Sequence, residues 1–167
     1  MRLWLLRHAK SSWDEPDLAD RERPLAPRGE RDADRMAAYI AASDIRPALI
    51  LCSSGLRARQ TLGRVFPALG DAFEVRVEPA IYVFDPAPLL SRLRTVLDDV
   101  PSVMLVGHNP ALQELALTIA DGGDGIGDVA AKFPTCALAE IDLRVGSWRD
   151  VAPATGTLTR LAVPRDL

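Results

Sequence analysis

The chain has 167 residues, of which 48% are hydrophobic and 26% are charged, and its formal net charge is −3. We expect a chain of this length to form one domain, residues 1–167, that buries roughly two-thirds of its unfolded surface. The mildly acidic balance argues against nucleic-acid binding, which usually needs a basic surface, and no stretch approaches the roughly 20 apolar residues of a membrane span.

The start of the chain and its cysteines bear on localisation. The opening apolar segment Met1–Leu6 is too short for the apolar region of a secretory signal peptide, and Arg7 closes it. Cys52 and Cys136 each lie within an apolar stretch, which is typical of reduced core residues. We therefore expect a cytoplasmic protein that has no membrane partner.

A short apolar strand opens the chain and ends in two polar side chains. Leu3–Leu6 are four consecutive apolar residues, as in a buried strand of a parallel sheet, and Arg7 and His8 follow at once. Ligands of such sheets bind beyond the carboxyl ends of the strands. Arg7 and His8 are therefore predicted at the edge of the sheet where chemistry takes place.

A long polar segment separates this strand from the first helix. Residues 11–27 are rich in charge and contain three prolines, without a helical or strand period, which predicts a loop. Loops of this length in compact domains are often functional. The helix after Arg28-Gly29 has an apolar stripe at helical spacing, formed by Ala33, Met36, Ala37 and Ile40.

The second apolar strand, Ala48–Cys52, runs into Ser53-Ser54-Gly55 and another helix. Ser54 is the predicted N-cap of this helix, which places Arg57 in its first turn. A cation at a helix N-terminus is mildly unfavourable unless an anion lies nearby. The predicted apolar face of the helix consists of Leu62, Val65, Phe66 and Leu69.

The third apolar strand carries the second of the two histidines. Val103–Val106 ends in Gly107-His108-Asn109-Pro110, and Pro110 is well placed to begin a helix. If the three strands belong to one parallel sheet, both histidines and the two arginines, Arg7 and Arg57, converge on the same edge.

The remaining segments complete an α/β pattern. We predict a short strand at 73–77 and a helix that starts at Pro86 or Pro88 and runs through Leu97. A glycine-rich loop at 121–128 and strands at 135–143 and 157–163 are predicted to follow. Buried strands that alternate with helices predict a three-layer αβα sandwich with a mostly parallel central sheet, and the C-terminal strands are expected to add an antiparallel edge.

The converging side chains suit a phosphoryl group, which is a compact dianion. Arg7 and Arg57 are planar donors that match phosphate oxygens. A neutral imidazole can attack phosphorus, and an arginine beside it binds the phosphate and stabilises the transition state. With His8 and His108 on either side, the four residues would form a phosphate pocket that contains a nucleophile.

Helices are predicted after Ser54 and after Asn109, and their N-termini would add N–H groups and a favourable dipole to the phosphate site.

Each of the site residues also has an ordinary structural alternative, because a single histidine at a strand end or a single arginine on a helix is usually solvated or satisfied structurally. A zinc site would need Cys or Glu ligands at short spacing, which are absent. Ser53-Ser54-Gly55 also lacks the spaced glycines of a nucleotide-binding loop.

Several ordered motifs resemble those of the histidine phosphatase superfamily, also called the phosphoglycerate mutase-like family. They are Arg7-His8 after the first strand, Ser53-Ser54-x-x-Arg57-x-x-Gln60-Thr61, and Gly107-His108. The segment Arg23-Pro24-Leu25-x-x-Arg28-Gly29 and the small size are more similar to its short branch, the SixA-type phosphohistidine phosphatases. The resemblance covers roughly Met1–Ile119, and the rest of the chain adds a compatible length.

The resemblance implies a three-layer αβα fold and a phosphohistidine intermediate formed without a metal ion or another cofactor. His8 would be the nucleophile, and Arg7, Arg57 and His108 would hold the phosphoryl group. Arg23 would face the pocket mouth and help to bind the substrate. That substrate would be a phosphorylated protein or a small phosphorylated molecule.

Two departures from the family pattern bear on the substrate. The glycine that usually follows the nucleophilic histidine is Ala9 here, which is also small. Larger members have a glutamate after the middle strand that acts as general acid, and here Glu78 and Asp85 are weak candidates for that role. A P–N bond breaks more easily than a bond to an alkoxide. A missing acid therefore fits phosphohistidine better than phosphoserine or sugar phosphates.

Three functions follow from these features. The first is dephosphorylation of phosphohistidine in a protein, and the second is hydrolysis of a small-molecule phosphomonoester. The third is a phosphate-binding module without catalysis, against which the intact set of Arg7, His8, Arg57 and His108 argues. A mutase is disfavoured because returning the phosphoryl group to a substrate needs a larger and more closed pocket.

Overall fold

In the computed structural model, which describes all 167 residues, seven strands form one sheet that has helices on both faces. The strands are β1 (Arg2–Arg7), β2 (Leu49–Ser53), β3 (Glu74–Glu78), β4 (Ser102–Gly107), β5 (Ala120–Gly123), β6 (Leu138–Leu143) and β7 (Gly156–Ala162). The helices are α1 (Pro27–Ala42), α2 (Leu56–Val65), α3 (Pro86–Leu93), α4 (Ala111–Ile119) and α5 (Ile126–Ala131). None of these helices combines the length and the apolar character needed to cross a membrane.

The strand order across the sheet is β3-β2-β4-β1-β6-β7-β5. The first four strands in this order run parallel to one another. β6 is antiparallel to both of its neighbours, β1 and β7, and β5 closes the sheet in parallel with β7. The predicted α/β class, the mostly parallel sheet and the antiparallel pairing of the C-terminal strands are confirmed.

The alternation of side chains along the strands divides the core into two halves. In β1, Leu3 and Leu5 belong to the half beneath α3 and α4, whereas Trp4 and Leu6 belong to the half beneath α1 and α2. Both faces of the strand are therefore dry, which explains why the sequence shows a continuous apolar run and no alternation. The helices on the two sides complete the three layers that the sequence predicted.

The carboxyl ends of β1, β2 and β4 meet at one edge of the sheet. Arg7 lies opposite Gly107 in the β1–β4 pair, and Cys52 lies opposite Val106 in the β2–β4 pair. The residues that follow these strands are consequently neighbours. The predicted meeting of the three strand ends is confirmed, and it places the candidate site.

Helices α2 and α3 end earlier than predicted because the chain tightens into short turns. A 3-10 turn replaces the α-helix at Phe66, which turns this side chain away from the core, so that it is 45% exposed and packs against Phe73. The backbone after Leu93 forms similar tight turns, in which Val96 N–H donates to the carbonyl of Leu93. Leu97, the predicted end of α3, is 70% exposed.

The glycine-rich segment 121–128 was wrongly predicted to be a loop, because most of it belongs to β5 and α5. Gly123 has a φ of 115°, and a Cβ at this position would lie 1.9 Å from the carbonyl oxygen of Leu158. This glycine therefore permits β5 to approach β7. The glycine content that suggested a loop is instead explained in part by the close contact between β5 and β7.

Gly29 fixes α1 against the residues that follow β1. A Cβ at Gly29 would lie 2.1 Å from the carbonyl oxygen of Lys10, so alanine must displace the helix. We expect Gly29→Ala to lower the free energy of unfolding by about 1–3 kcal/mol in urea denaturation. Gly63, also within a helix, is the matched control, because a Cβ there meets nothing within 4 Å. Equal destabilisation by Gly63→Ala would contradict this explanation.

Candidate active site

His8 follows β1, and hydrogen bonds to both ring nitrogens fix its tautomer. Its Nδ1 lies 2.7 Å from the carbonyl oxygen of Ala9, and Arg57 Nε donates to His8 Nε2 at 3.3 Å. Because a guanidinium nitrogen can only donate, Nε2 must carry the lone pair and the ring proton must be on Nδ1. The geometry therefore presents an unprotonated nitrogen at the strand end.

The surroundings of the two histidines keep both rings neutral. Burial lowers the pKa of His8 from 6.5 to about 4, and the charges of Arg57 and Arg7 act in the same direction. Burial likewise lowers the pKa of His108 to about 3, with contributions from His8 and Arg57. Neutral imidazole is the form that can attack phosphorus.

His108 follows β4 and faces His8, with 5.0 Å between the two ring centroids. Its Nε2 forms a hydrogen bond of 2.7 Å with Ser53 Oγ, which also accepts the N–H of Gly55 at 3.2 Å. The other ring nitrogen, Nδ1, is buried and has no hydrogen-bond partner within the protein. Ser53 thus orients His108 and leaves one ring nitrogen for a ligand.

Arg7 is anchored at one end of its guanidinium. Its Nη1 donates to the carbonyl of Phe133 at 2.6 Å, while its Nε is buried without a partner. The Nδ2 of Asn109 donates a hydrogen bond to the same carbonyl at 3.2 Å and another to Gln113 Oε1 at 3.0 Å. The amide donor of Asn109 is therefore used within the protein, beside Arg7.

Ser54 does not cap α2 as predicted, because Gly55 is the N-cap residue and no side chain caps this helix. The nearby hydroxyl of Ser53 already accepts the N–H of Gly55, and the hydroxyl of Ser54 is buried without a partner. The N-cap prediction for Ser54 is wrong. Its unpaired hydroxyl remains compatible with a contact to substrate.

Arg23 is held by the loop that precedes α1. Its guanidinium lies 4.0 Å from the centre of the Trp13 ring, and its Nη2 donates to the carbonyl of Pro16 at 3.4 Å. The residue is only 8% exposed, and its Nε and Nη1 have no partner. The loop therefore buries a cation whose donors are mostly free.

Asp20 is a site residue that the sequence analysis missed. Its carboxylate accepts hydrogen bonds from Arg57 Nη2 at 2.8 Å and from the hydroxyl of Tyr82, and its carbonyl accepts from Arg57 Nη1. Partial burial raises the pKa of Asp20, but the hydrogen bonds from Tyr82 and Arg57 outweigh burial and lower it overall. Asp20 is thus an ionised carboxylate that forms an ion pair with the guanidinium of Arg57.

Two residues of α2 position the loops around His8. Thr61 Oγ1 accepts the N–H of Ala9 at 2.9 Å and donates to the carbonyl of Arg57 at 2.7 Å. Gln60 accepts the N–H of Leu25 at 2.7 Å. These bonds tie the first turns of α2 to the residue after His8 and to the loop that carries Arg23.

The two carboxylates that were candidate general acids are both engaged elsewhere. Glu78 forms a two-pronged ion pair with Arg92 at 2.8 Å for each contact, and these hydrogen bonds lower the pKa of Glu78. Asp85 is the N-cap of α3 and accepts the N–H of Ala87 at 2.7 Å. In these contacts neither side chain is placed to donate a proton to a leaving group.

Six buried polar side-chain atoms of the protein have no hydrogen-bond partner. They are Arg7 Nε, Arg23 Nε, Arg23 Nη1, Ser54 Oγ, His108 Nδ1 and Asn109 Oδ1. Such atoms are rare in folded proteins and call for an explanation. All six belong to residues that the sequence predicted for the site. No grouping of three or more His, Cys, Asp or Glu side chains suitable for a metal ion accompanies them.

The low pKa of His8 predicts how stability depends on pH. Above the ordinary value of 6.5, His8 is neutral in both the folded and the unfolded chain. Between 6.5 and about 4 the unfolded chain binds a proton that the folded protein does not, so the free energy of unfolding falls as the pH is lowered. Urea denaturation across this window should show a smaller fall for His8→Gln. An equal fall in both proteins would contradict the assignment.

Comparisons with known proteins are consistent with this geometry. Residues 3–82 match the model of the histidine phosphatase superfamily (branch 1). An uncharacterised protein of Mycobacterium tuberculosis is 35% identical over 165 residues, which cover 96% of this chain and 100% of that protein. The phosphohistidine phosphatase SixA of Escherichia coli is 26% identical over 145 residues, 86% of each chain.

A solved structure extends the similarity to the whole fold. The crystal structure of a candidate phosphohistidine phosphatase SixA from Agrobacterium tumefaciens superimposes with a TM-score of 0.79 at 32% identity. The match covers 98% of this chain and 97% of that one. The chain belongs to the histidine phosphatase superfamily, branch 1, and is similar to the SixA-type phosphohistidine phosphatases.

Proposed function

We propose that the protein is a metal-independent phosphatase that transfers a phosphoryl group to His8 Nε2, and that its substrate is phosphohistidine in a protein. The observation that carries this proposal is the set of buried, unpaired polar atoms on the residues predicted for the site. Four of the six can donate: two belong to Arg23 and one each to Arg7 and Ser54. Several donors without acceptors fit a ligand with several negatively charged oxygens.

Energetics favour this interpretation over a structural one. A buried polar group that lacks a partner costs about 1–3 kcal/mol. Four donor atoms left in this state would be a large cost in a protein whose other buried side chains are satisfied. A phosphoryl group has enough acceptor oxygens to pair with them, and a charge-assisted hydrogen bond is roughly twice as strong as a neutral one.

The first chemical step follows from the tautomer of His8. The lone pair of Nε2 attacks phosphorus, a P–Nε2 bond forms, and the P–N bond to the substrate imidazole breaks, with its electron pair returning to that ring. The substrate ring is protonated at its other nitrogen, so it leaves as neutral imidazole. The phosphorylated His8 ring becomes cationic, and its Nδ1–H donates to the carbonyl of Ala9, 2.7 Å away. Arg7 and Arg57 stabilise the charge on the phosphoryl oxygens.

The second step regenerates the enzyme. A water oxygen attacks phosphorus, the P–Nε2 bond breaks, and its electron pair returns to Nε2. The products are histidine and inorganic phosphate. Substrate binding also requires Asp20 to release Arg57, because a carboxylate and a phosphoryl dianion repel each other when they share the same donors.

The engagement of the candidate acids supports one substrate class over another. Glu78 and Asp85 are engaged elsewhere, and Asp20 is ionised. An alkoxide leaving group needs a proton, whereas the imidazole of phosphohistidine departs without a strong acid. The site therefore favours phosphohistidine over phosphoserine, and a phosphorylated protein is the proposed partner.

We expect kcat/KM for a phosphohistidine peptide to exceed that for the phosphoserine peptide of the same sequence by at least about 100-fold, the low end of the effect of one proton transfer. Comparative initial rates measure this ratio. Glu78→Gln and Asp85→Asn are the controls, and each should change the phosphohistidine rate little. Equal efficiency on both peptides, with a large loss in either variant, would favour a small-molecule phosphomonoesterase.

A further inference from the structure

A second concentration of positive charge lies outside the phosphate pocket. Five cations line an open groove of about 340 Å³, which we call the basic groove: Arg28, Arg31, Arg35, Lys132 and Arg165. Val163 is the one hydrophobic side chain among the ten residues that line it. The groove therefore has no apolar floor for a nucleobase or an acyl chain.

The charge of the basic groove is largely uncompensated. Arg28 lies 3.6 Å from Asp32, and Arg165 lies 3.4 Å from Asp166. The other three cations, Arg31, Arg35 and Lys132, take part in none of the ion pairs of the structure. In a chain with a net charge of −3, this accumulation creates a local field that attracts anions.

The basic groove lies at the same edge of the sheet as His8. Leu6 of β1 is opposite Leu138 of β6, which is opposite Ala162 of β7. Two strand spacings separate Ala162 from Leu6, a distance of about 10 Å. The chain enters the wall of the groove directly after Ala162, at Val163.

A second connection links the groove to the arginine beside His8. Lys132 and Pro134 line the groove and flank Phe133, whose carbonyl accepts the 2.6 Å hydrogen bond from Arg7. Consecutive Cα atoms are about 3.8 Å apart. One wall of the groove is therefore continuous with a wall of the phosphate pocket.

We propose that the basic groove docks an acidic segment of the phosphorylated protein whose phosphohistidine enters the pocket at His8. This inference rests on the proposed function and adds a recognition surface to it. In such an open groove a single free anion gains little, because solvent and salt screen exposed charges. A segment with several carboxylates gains more, because its attachment to the phosphohistidine raises its effective concentration.

The test compares a substrate that carries the proposed docking segment with one that lacks it. One is a synthetic peptide with phosphohistidine flanked by Glu and Asp, and the other is free phosphohistidine. We expect Arg31→Glu with Arg35→Glu to lower kcat/KM for the acidic peptide by at least about tenfold through a higher KM, equal to about 1.4 kcal/mol. The rate on free phosphohistidine should be unchanged, and high salt should reduce the difference.

Arg149→Glu is the matched control for charge. Arg149 is exposed, and it follows the carboxyl end of antiparallel β6, at the opposite edge of the sheet from His8. Arg149→Glu should leave the rates on the acidic peptide and on free phosphohistidine unchanged. Equal losses in Arg149→Glu and in the groove variants, or equal losses on both substrates, would overturn the docking proposal.

A binding measurement separates this proposal from the proposed function. The same acidic peptide with unphosphorylated histidine and a fluorescent label should bind the wild type more tightly than the groove variant. If no phosphohistidine compound is hydrolysed but this difference persists, the proposed function fails and the docking surface stands. Inorganic phosphate is then added, with sodium chloride at the same ionic strength as the control. Displacement of the peptide by phosphate but not by sodium chloride would indicate a site for a free anion and overturn the docking proposal.

Discussion

Turnover is expected to fall by on the order of 10⁴-fold or more when His8 is replaced by alanine, because the covalent route is lost with its nucleophile. In the proposed mechanism Nε2 of His8 accepts the phosphoryl group, whereas His108 helps to hold it. His108, the ring 5.0 Å away, uses its Nε2 for Ser53. Steady-state hydrolysis of a phosphohistidine peptide measures the loss.

The same variant has to keep its phosphate site. Arg7, Arg57 and His108 are unchanged in His8→Ala, so inorganic phosphate should still bind in calorimetry with an affinity near that of the wild type. Loss of both turnover and phosphate binding would indicate a damaged pocket, and His8→Gln then serves as the less disruptive replacement. Near-normal turnover in either variant would show that His8 is not the nucleophile.

Replacement of Arg57 by alanine is expected to lower kcat by about 10²–10³-fold, as for the loss of one donor to a developing oxyanion. Arg57 is 5% exposed, and its Nε holds His8 Nε2 before the attack. Arg57→Lys keeps the charge but loses the planar fork, so its rate should lie between those of the wild type and the alanine variant. Initial rates under saturating substrate measure both effects.

Arg64 provides the control on the same helix. It lies on α2, and its guanidinium forms ion pairs with Glu30 at 2.9 Å and Asp34 at 3.0 Å, away from the histidines. Arg64→Ala should change kcat little. Similar rates for Arg57→Ala and Arg64→Ala would mean that the buried guanidinium has no part in catalysis.

The parts of the site that were predictable lie directly after buried strands. Leu3–Leu6 and Val103–Val106 are continuous apolar runs because both faces of β1 and β4 are covered, and that pattern is visible locally. Once the strands were assigned to a parallel sheet, the positions of His8 and His108 at one edge followed from topology. Arg57 followed from its place in the first turn of α2.

The parts that were missed depend on long-range contacts. Asp20 is one of five acidic residues between positions 11 and 27, and nothing in the local sequence separates it from the others. It becomes a site residue only because the loop folds back onto Arg57 and Tyr82. Tyr82 was not predicted either, since the segment before α3 shows neither a helical nor a strand period. The unusual placement of a cation in the first turn of α2 was the one available signal of a nearby anion.

Local rules also failed where neighbouring groups competed. Serine is a common N-cap residue, which is why Ser54 was predicted to be one. The hydroxyl of the adjacent Ser53 accepts the N–H of Gly55, and the helix begins one residue later. Glycines at 121–128 suggested a loop, although Gly123 serves the close contact of β5 with Leu158. A contact with a distant strand decided the structure at Gly123, whereas an immediate neighbour decided it at Ser54.

The central claim is that His8 carries the phosphoryl group during turnover, and rapid quenching with a ³²P-labelled phosphohistidine peptide tests it most directly. Phosphorylated histidine is acid-labile and base-stable, which distinguishes it from phosphoserine. The account predicts transient label on the wild-type protein with this stability, located on the peptide that contains His8, and no label on His8→Ala. Turnover without a labelled enzyme, or acid-stable label on another residue, would contradict it.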